Sequence, residues 1–173
     1  MADKIQALVS QGKQAFDGRK FDQAAEAFSQ AASEYEASGN ALDAAEMRNN
    51  LSVALLQGGK APEAYEAVTG TEEIFAQAGD VRRQAMAAGN LAAALEALKR
   101  KQEALEAYER SAQLFAQAGE HEMRSLVLQS AAKLKLQRGA FIDSAMAMIG
   151  SAEAAPQPNL LQRLLKFLIR IKP

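Results

Sequence analysis

Residues 49–68 read NNLSVALLQGGKAPEAYEAV, and residues 89–108, 40 positions later, read GNLAAALEALKRKQEALEAY. The second stretch keeps much of the first. Working outward, AASEYEASGN at 31–40, TEEIFAQAGD at 71–80 and SAQLFAQAGE at 111–120 align at the same spacing. Tyr35, Phe75 and Phe115 stay in phase, as do Gly39, Gly79 and Gly119. Ahead of them, FDQAAEAF, APEAYEAV and KQEALEAY keep Ala24, Ala64 and Ala104 in step. A fourth, worn copy places Phe141 in step with Phe21 and Ser144 at the alanine position. A fixed period of this length is the signature of a repeat array.

Each copy reads as two helices. The segments are rich in Ala, Glu, Gln and Leu, with apolar residues three and four apart and almost no β-branched runs. The spacing predicts helices over 3–17, 21–38, 41–57, 61–78, 81–98, 101–118, 121–138 and 141–154. Gly58 and Gly59 interrupt the second copy, and Pro62 suits a first helical turn, where its missing donor costs nothing. Gly39, Gly79 and Gly119 suit left-handed C-caps, after which Asn40 and Asp80 can cap the next helix. Alanine at helix crossings lets backbones approach to about 8–10 Å. A single pair cannot bury its own apolar faces, so neighbours must stack into a solenoid.

The chain has 173 residues, 49% hydrophobic and 24% charged, which places it with folded globular proteins. A net charge of -1 argues against a nucleic-acid partner, and the bases form no stripe. Residues 158–173 nevertheless carry Arg163, Lys166, Arg170 and Lys172 and no acid, leaving 16 bases against 21 acids in the rest. There is no cysteine and one histidine, His121, so no Cys/His metal set or nucleophile triad can be assembled. Phosphate-loop, HEXXH and dinucleotide signatures are absent, and acid pairs such as Glu72-Glu73 read as solvated faces. The expectation is a protein without enzymatic activity or cofactor, cytoplasmic in setting. The N-terminus lacks the apolar run of a signal peptide, and no stretch reaches the roughly 20 apolar residues of a bilayer span.

The repeat resembles the tetratricopeptide repeat (TPR), in the longer 40-residue form of kinesin light chains. The small pair of that family's first helix is similar to Gln11-Gly12, Leu51-Ser52, Leu91-Ala92 and Ala131-Ala132. Its second-helix alanine is matched by Ala24, Ala64 and Ala104 and changed to Ser144. Its following ring is matched by Phe28 and Tyr108, with Val68 and Met148 as departures, and Asn50 and Asn90 match a common first-helix asparagine. The resemblance implies an all-α, right-handed α-solenoid of four antiparallel helix pairs over 3–155, with repeats at about 3–40, 41–80, 81–120 and 121–155. It also implies a concave groove, lined by the first helices, that takes a peptide or amphipathic helix of another protein. By that register the groove positions include Val9, Lys13, Phe16, Asn49, Val53, Leu56, Met86, Ala93, Gln129 and Lys133, with Gln6, Glu46, Gly89, Glu96, Leu126 and Leu136. Only Lys13, Asn49 and Lys133 have chemistry suited to gripping a peptide carboxylate, so a chaperone-tail clamp is not expected.

After a proline-containing linker at 156–158, NLLQRLLKFLIRIKP predicts an amphipathic helix over 159–171. Leu161, Leu164, Leu165, Leu168 and Ile171 form its apolar stripe, and Arg163, Lys166 and Arg170 its cationic side. Three fates are open: a cap on the last repeat, a plug in this chain's groove or a neighbour's, and contact with a membrane surface. The function expected from residues and resemblance together is protein–protein interaction. The alternatives are a peripheral membrane adaptor anchored by the tail and a homodimer sealed by it.

Overall fold

The structure, a computed structural model, describes residues 2–154. The linker at 156–158, the helix at 159–171 and its eight contact candidates lie outside the described residues. Among the described residues the regular structure is all α-helix: α1 (Ala2–Asp17), α2 (Phe21–Ala37), α3 (Ala41–Gln57), α4 (Ala61–Val68), α5 (Thr71–Gln77), α6 (Val81–Ala97), α7 (Lys101–Gln117) and α8 (His121–Ala154). Packing divides them into two units, one running to Ala131 and one beginning at Ala132.

In the first unit α1 packs on α2 and α2 on α3; α3 meets α4, α5 and α6, and α6 meets α7. The repeat alanines sit where the helices cross: Ala24, Ala64 and Ala104 are all 0% exposed. The small first-helix positions Gly12, Ser52 and Ala92 are buried as well. Ser52 donates its hydroxyl to the Ala64 carbonyl at 2.8 Å, and Ser111 donates to Ala85 at 2.7 Å, so these buried hydroxyls are satisfied. Phe28, Phe75, Tyr108 and Phe115 are the large buried rings of the core.

Six connections between helices share one construction. In each, the residue after the C-cap adopts the left-handed conformation: Arg19, Gly39, Gly59, Gly79, Lys99 and Gly119, with φ between 56° and 77°. In each, the following residue's N–H reaches back five residues, as Asn40 does to the Tyr35 carbonyl and Arg100 to Leu95, both at 2.9 Å. This is a Schellman motif. Asn40 and Asp80 then act as N-caps of α3 and α6, accepting from the backbone N–H groups of Asp43 and Arg83.

Two helix boundaries differ from the sequence expectation. The helix expected over 61–78 is two helices, broken at Thr69 and Gly70, the latter left-handed at φ 82°. Arg48 of α3 stabilises the break: its Nε donates to the Ala67 carbonyl at 3.1 Å and its Nη2 to Thr69 at 2.9 Å. The pair expected over 121–138 and 141–154 is one continuous helix, α8. Ala15, Leu55 and Leu95 supply the carbonyl and apolar surface at the end of the first helix in copies one to three. The same position in the fourth copy is Lys135. A lone Gly139 inside a helix costs only about 1 kcal/mol, too little to end it.

Candidate binding face

The candidate site is the outer face of the first helices, α1, α3, α6 and the start of α8. It is built on a polar scaffold between α3 and α6. Asn90 donates its amide to the Asn49 side-chain oxygen at 3.2 Å, and Asn49 donates in turn to the Ala45 carbonyl at 3.2 Å. Beside them Arg83 pairs with Glu46 of α3 at 3.1 Å and with Asp80 at 2.6 Å. The same guanidinium lies 5.2 Å from the centre of the Phe75 ring, a cation–π contact. The backbone N–H and guanidinium of Arg83 hold the Asp80 carboxyl below the usual carboxylate range. Farther along α6, Tyr108 of α7 donates its hydroxyl to Glu96 at 2.9 Å. Burial, reinforced by that bond to a carboxylate, pushes the phenol well above its ordinary pKa.

The sequence-derived groove positions separate by exposure on this scaffold. Val9 lies in the first core cluster and Asn49 is buried, so both are spent on stacking. Phe16, Val53, Leu56 and Ala93 are half-buried, presenting an edge to solvent. Lys13, Gln129 and Lys133 are exposed. Met86 and Leu126, which occupy the same repeat position 40 residues apart, are 39% and 56% exposed. The face is thus apolar at its centre, with the Glu46–Arg83 pair and Glu96 as charged markers. Such a surface can hold an apolar side chain and orient it. It offers no nucleophile–base pair. Among the described residues no cluster of His, Cys, Asp or Glu could hold a metal ion.

Sequence reasoning did not find two features. Arg48 gave no motif, because its role depends on carbonyls freed by a helix break about twenty residues away. The second is a cleft of about 450 Å³ between α7 and the start of α8, lined by Ala112, Ala116, Arg124 and Leu128 among others. Its trace in the sequence was the wear of the fourth copy, at Ser144 and Met148 and also at Lys135.

The family model described as SNAP, soluble NSF attachment protein, matches residues 9–167. The chain belongs to the soluble NSF attachment protein (SNAP) family. Membership agrees with the all-helical array of stacked pairs, and it makes this chain a helical-repeat protein of the interaction-adaptor type. The match covers the candidate face positions from Val9 onward. No curated protein matches the chain. Among the described residues of this SNAP-family chain, no helix is long and apolar enough to cross a membrane.

Proposed function

We propose that the protein is a non-catalytic adaptor. Its first-helix face takes an amphipathic helix or apolar peptide of another protein, and the array over 3–155 serves as the binding module. The observation that carries this reading is the exposure of Met86 and Leu126 at one repeat position. Large apolar side chains left in water at a repeated site forgo roughly 1.5–3 kcal/mol each, and a partner recovers that by covering them. The family description supplies the partners to try first, NSF by its name and SNARE complexes as family ligands. The finer likeness to kinesin-light-chain repeats and a cytoplasmic setting belong to the same proposal, supported by the 40-residue register and the absence of cysteine.

The test is binding of purified NSF and of a purified SNARE complex to the intact chain and to a Met86→Glu/Leu126→Glu variant. Both side chains are exposed, so the variant should keep its helical content. The expected result is binding weakened at least about tenfold, matching the loss of one well-buried apolar contact. Unchanged affinity in the variant would remove the face from the proposal, and no binding by the intact chain would remove both partners.

A second reading rests on residues 159–172, whose apolar stripe is flanked by four bases and no acid. That pattern favours peripheral attachment to anionic lipid, at about 1 kcal/mol per base near the surface. Co-sedimentation with phosphatidylserine vesicles, lost when Arg163, Lys166, Arg170 and Lys172 become Gln, would support it. Sedimentation that is absent or insensitive to these changes would reject it.

A further inference from the structure

Among the described residues, the start of α8 lacks the covering helix that periodicity along the array places there. Ala85, Ala88 and Ala92 of α6 are all 0% exposed, with the following helix α7 packed on α6. Their counterparts 40 residues on are Ser125, Leu128 and Ala132, and all three are exposed, Leu128 at 43%. The cleft of about 450 Å³ lies on that same flank, between Glu109, Ala112, Gln113 and Ala116 of α7 and Arg124 and Leu128 of α8. One repeat earlier the corresponding place is occupied. There Glu72 of α5, the counterpart of Ala112, pairs at 2.9 Å with Arg110 of α7. The cleft is therefore a vacant slot for a second helix.

The sequence contains a segment with the pattern of that second helix. Residues 141–154 keep Phe141 in step with Phe21 and place the small Ser144 where Ala24, Ala64 and Ala104 stand. In the structure these residues prolong α8 instead of reversing after it. A segment that matches a slot and an extended connection at Gly139-Ala140 are the two parts of a domain swap, a low-cost route to a dimer.

We infer that two copies of this chain exchange residues 141–154, each laying that helix into the α7–α8 slot of the other. The occupant is a second copy, because its residues 141–154 carry the register of the slot, with Phe141 and Ser144 in phase. The inference is independent of the first-helix face, which lies on another side of α6 and α8.

The test uses the full chain, which has no natural cysteine. Ser111 donates to the Ala85 carbonyl at 2.7 Å, so the residues 40 later, Ser151 and Ser125, should meet when the slot is filled. Chains carrying Ser125→Cys and chains carrying Ser151→Cys are co-expressed with distinct tags and oxidised. The expected product is a disulfide-linked heterodimer of twice the 18.5 kDa chain mass. Replacing Ser125→Cys by Ser29→Cys, exposed on α2, should abolish it. A second variant, Lys135→Leu with Arg138→Gly and Ala140→Lys, copies the second repeat's turn. It should convert dimer to monomer in light scattering, with Ser125→Cys/Ser151→Cys then joined within one chain. A native chain that stays monomeric at 100 µM (on the order of the weak end of specific association) would overturn the inference. So would a disulfide formed within a single chain that carries Ser125→Cys and Ser151→Cys with its turn unaltered, or no disulfide at all.

Discussion

Phe28 is buried against Gly12, where an added Cβ would lie 2.6 Å from the ring. The other copies solve the same contact differently, pairing Ser52 with Val68 and Ala92 with Tyr108. In the second copy a larger first-helix residue stands against a smaller second-helix one. Gly12→Ala should destabilise the chain by about 1–3 kcal/mol through overpacking, despite alanine's better helix propensity. Adding Phe28→Val, which imitates the second copy, should restore part of that loss in urea unfolding. No recovery would mean that the two positions are not coupled. A second single-residue effect concerns Asp80. Its folded pKa is depressed, so its contribution is present above the unfolded value of about 4 and is lost as pH falls through the folded value. Asp80→Asn keeps an N-cap acceptor but removes this titration, and should flatten the loss of stability below about pH 4. Asp80→Ala should cost about 1 kcal/mol at neutral pH.

At the level of helices, repeat register located every described element but not every boundary. Three of the six Schellman turns were readable because Gly39, Gly79 and Gly119 recur, and Gly58-Gly59 marked a fourth as a break, yet Arg19 and Lys99 make the same turn without a glycine there. Packing of the two helices, not the local residue, fixes the chain there. The reverse holds at Gly139, where a glycine is present and the helix continues. The break at Thr69-Gly70 was hidden by register, since the matching positions are Ser29-Gln30 and Glu109-Arg110. Arg48 then became necessary to satisfy carbonyls that an unbroken helix would have used. Arg48→Met should cost about 1.5–3 kcal/mol, the range for hydrogen bonds to a charged group. Amide exchange in α4 and α5 should rise more than in α1 and α2. Uniform loosening throughout the chain would contradict a local capping role.

Across the repeats, two kinds of interaction run side by side. Ion pairs link neighbouring copies at a nearly constant offset: Lys60 with Asp22 at 2.7 Å, Arg82 with Glu120 at 2.5 Å, and Arg110 with Glu72 at 2.9 Å. Except at Glu72 the partners are substantially exposed, so each pair contributes within about 0–1 kcal/mol and is screened by salt. The alanine crossings are dry and have no such weakness. The candidate face was only partly readable for a geometric reason. Register gives the angular position of a residue on its helix, but not the distance of the next helix, and that distance buried Asn49 while leaving Met86 open. If the crossings hold the array together, raising NaCl from 0.05 to 1 M should change unfolding free energy by no more than about 1 kcal/mol. Ala64→Leu, which forces α3 and α4 apart at a position 0% exposed, should cost at least about 2 kcal/mol. A chain that loses several kcal/mol in salt yet tolerates Ala64→Leu would instead be held by its charges, and the close approach of the helices would be incidental.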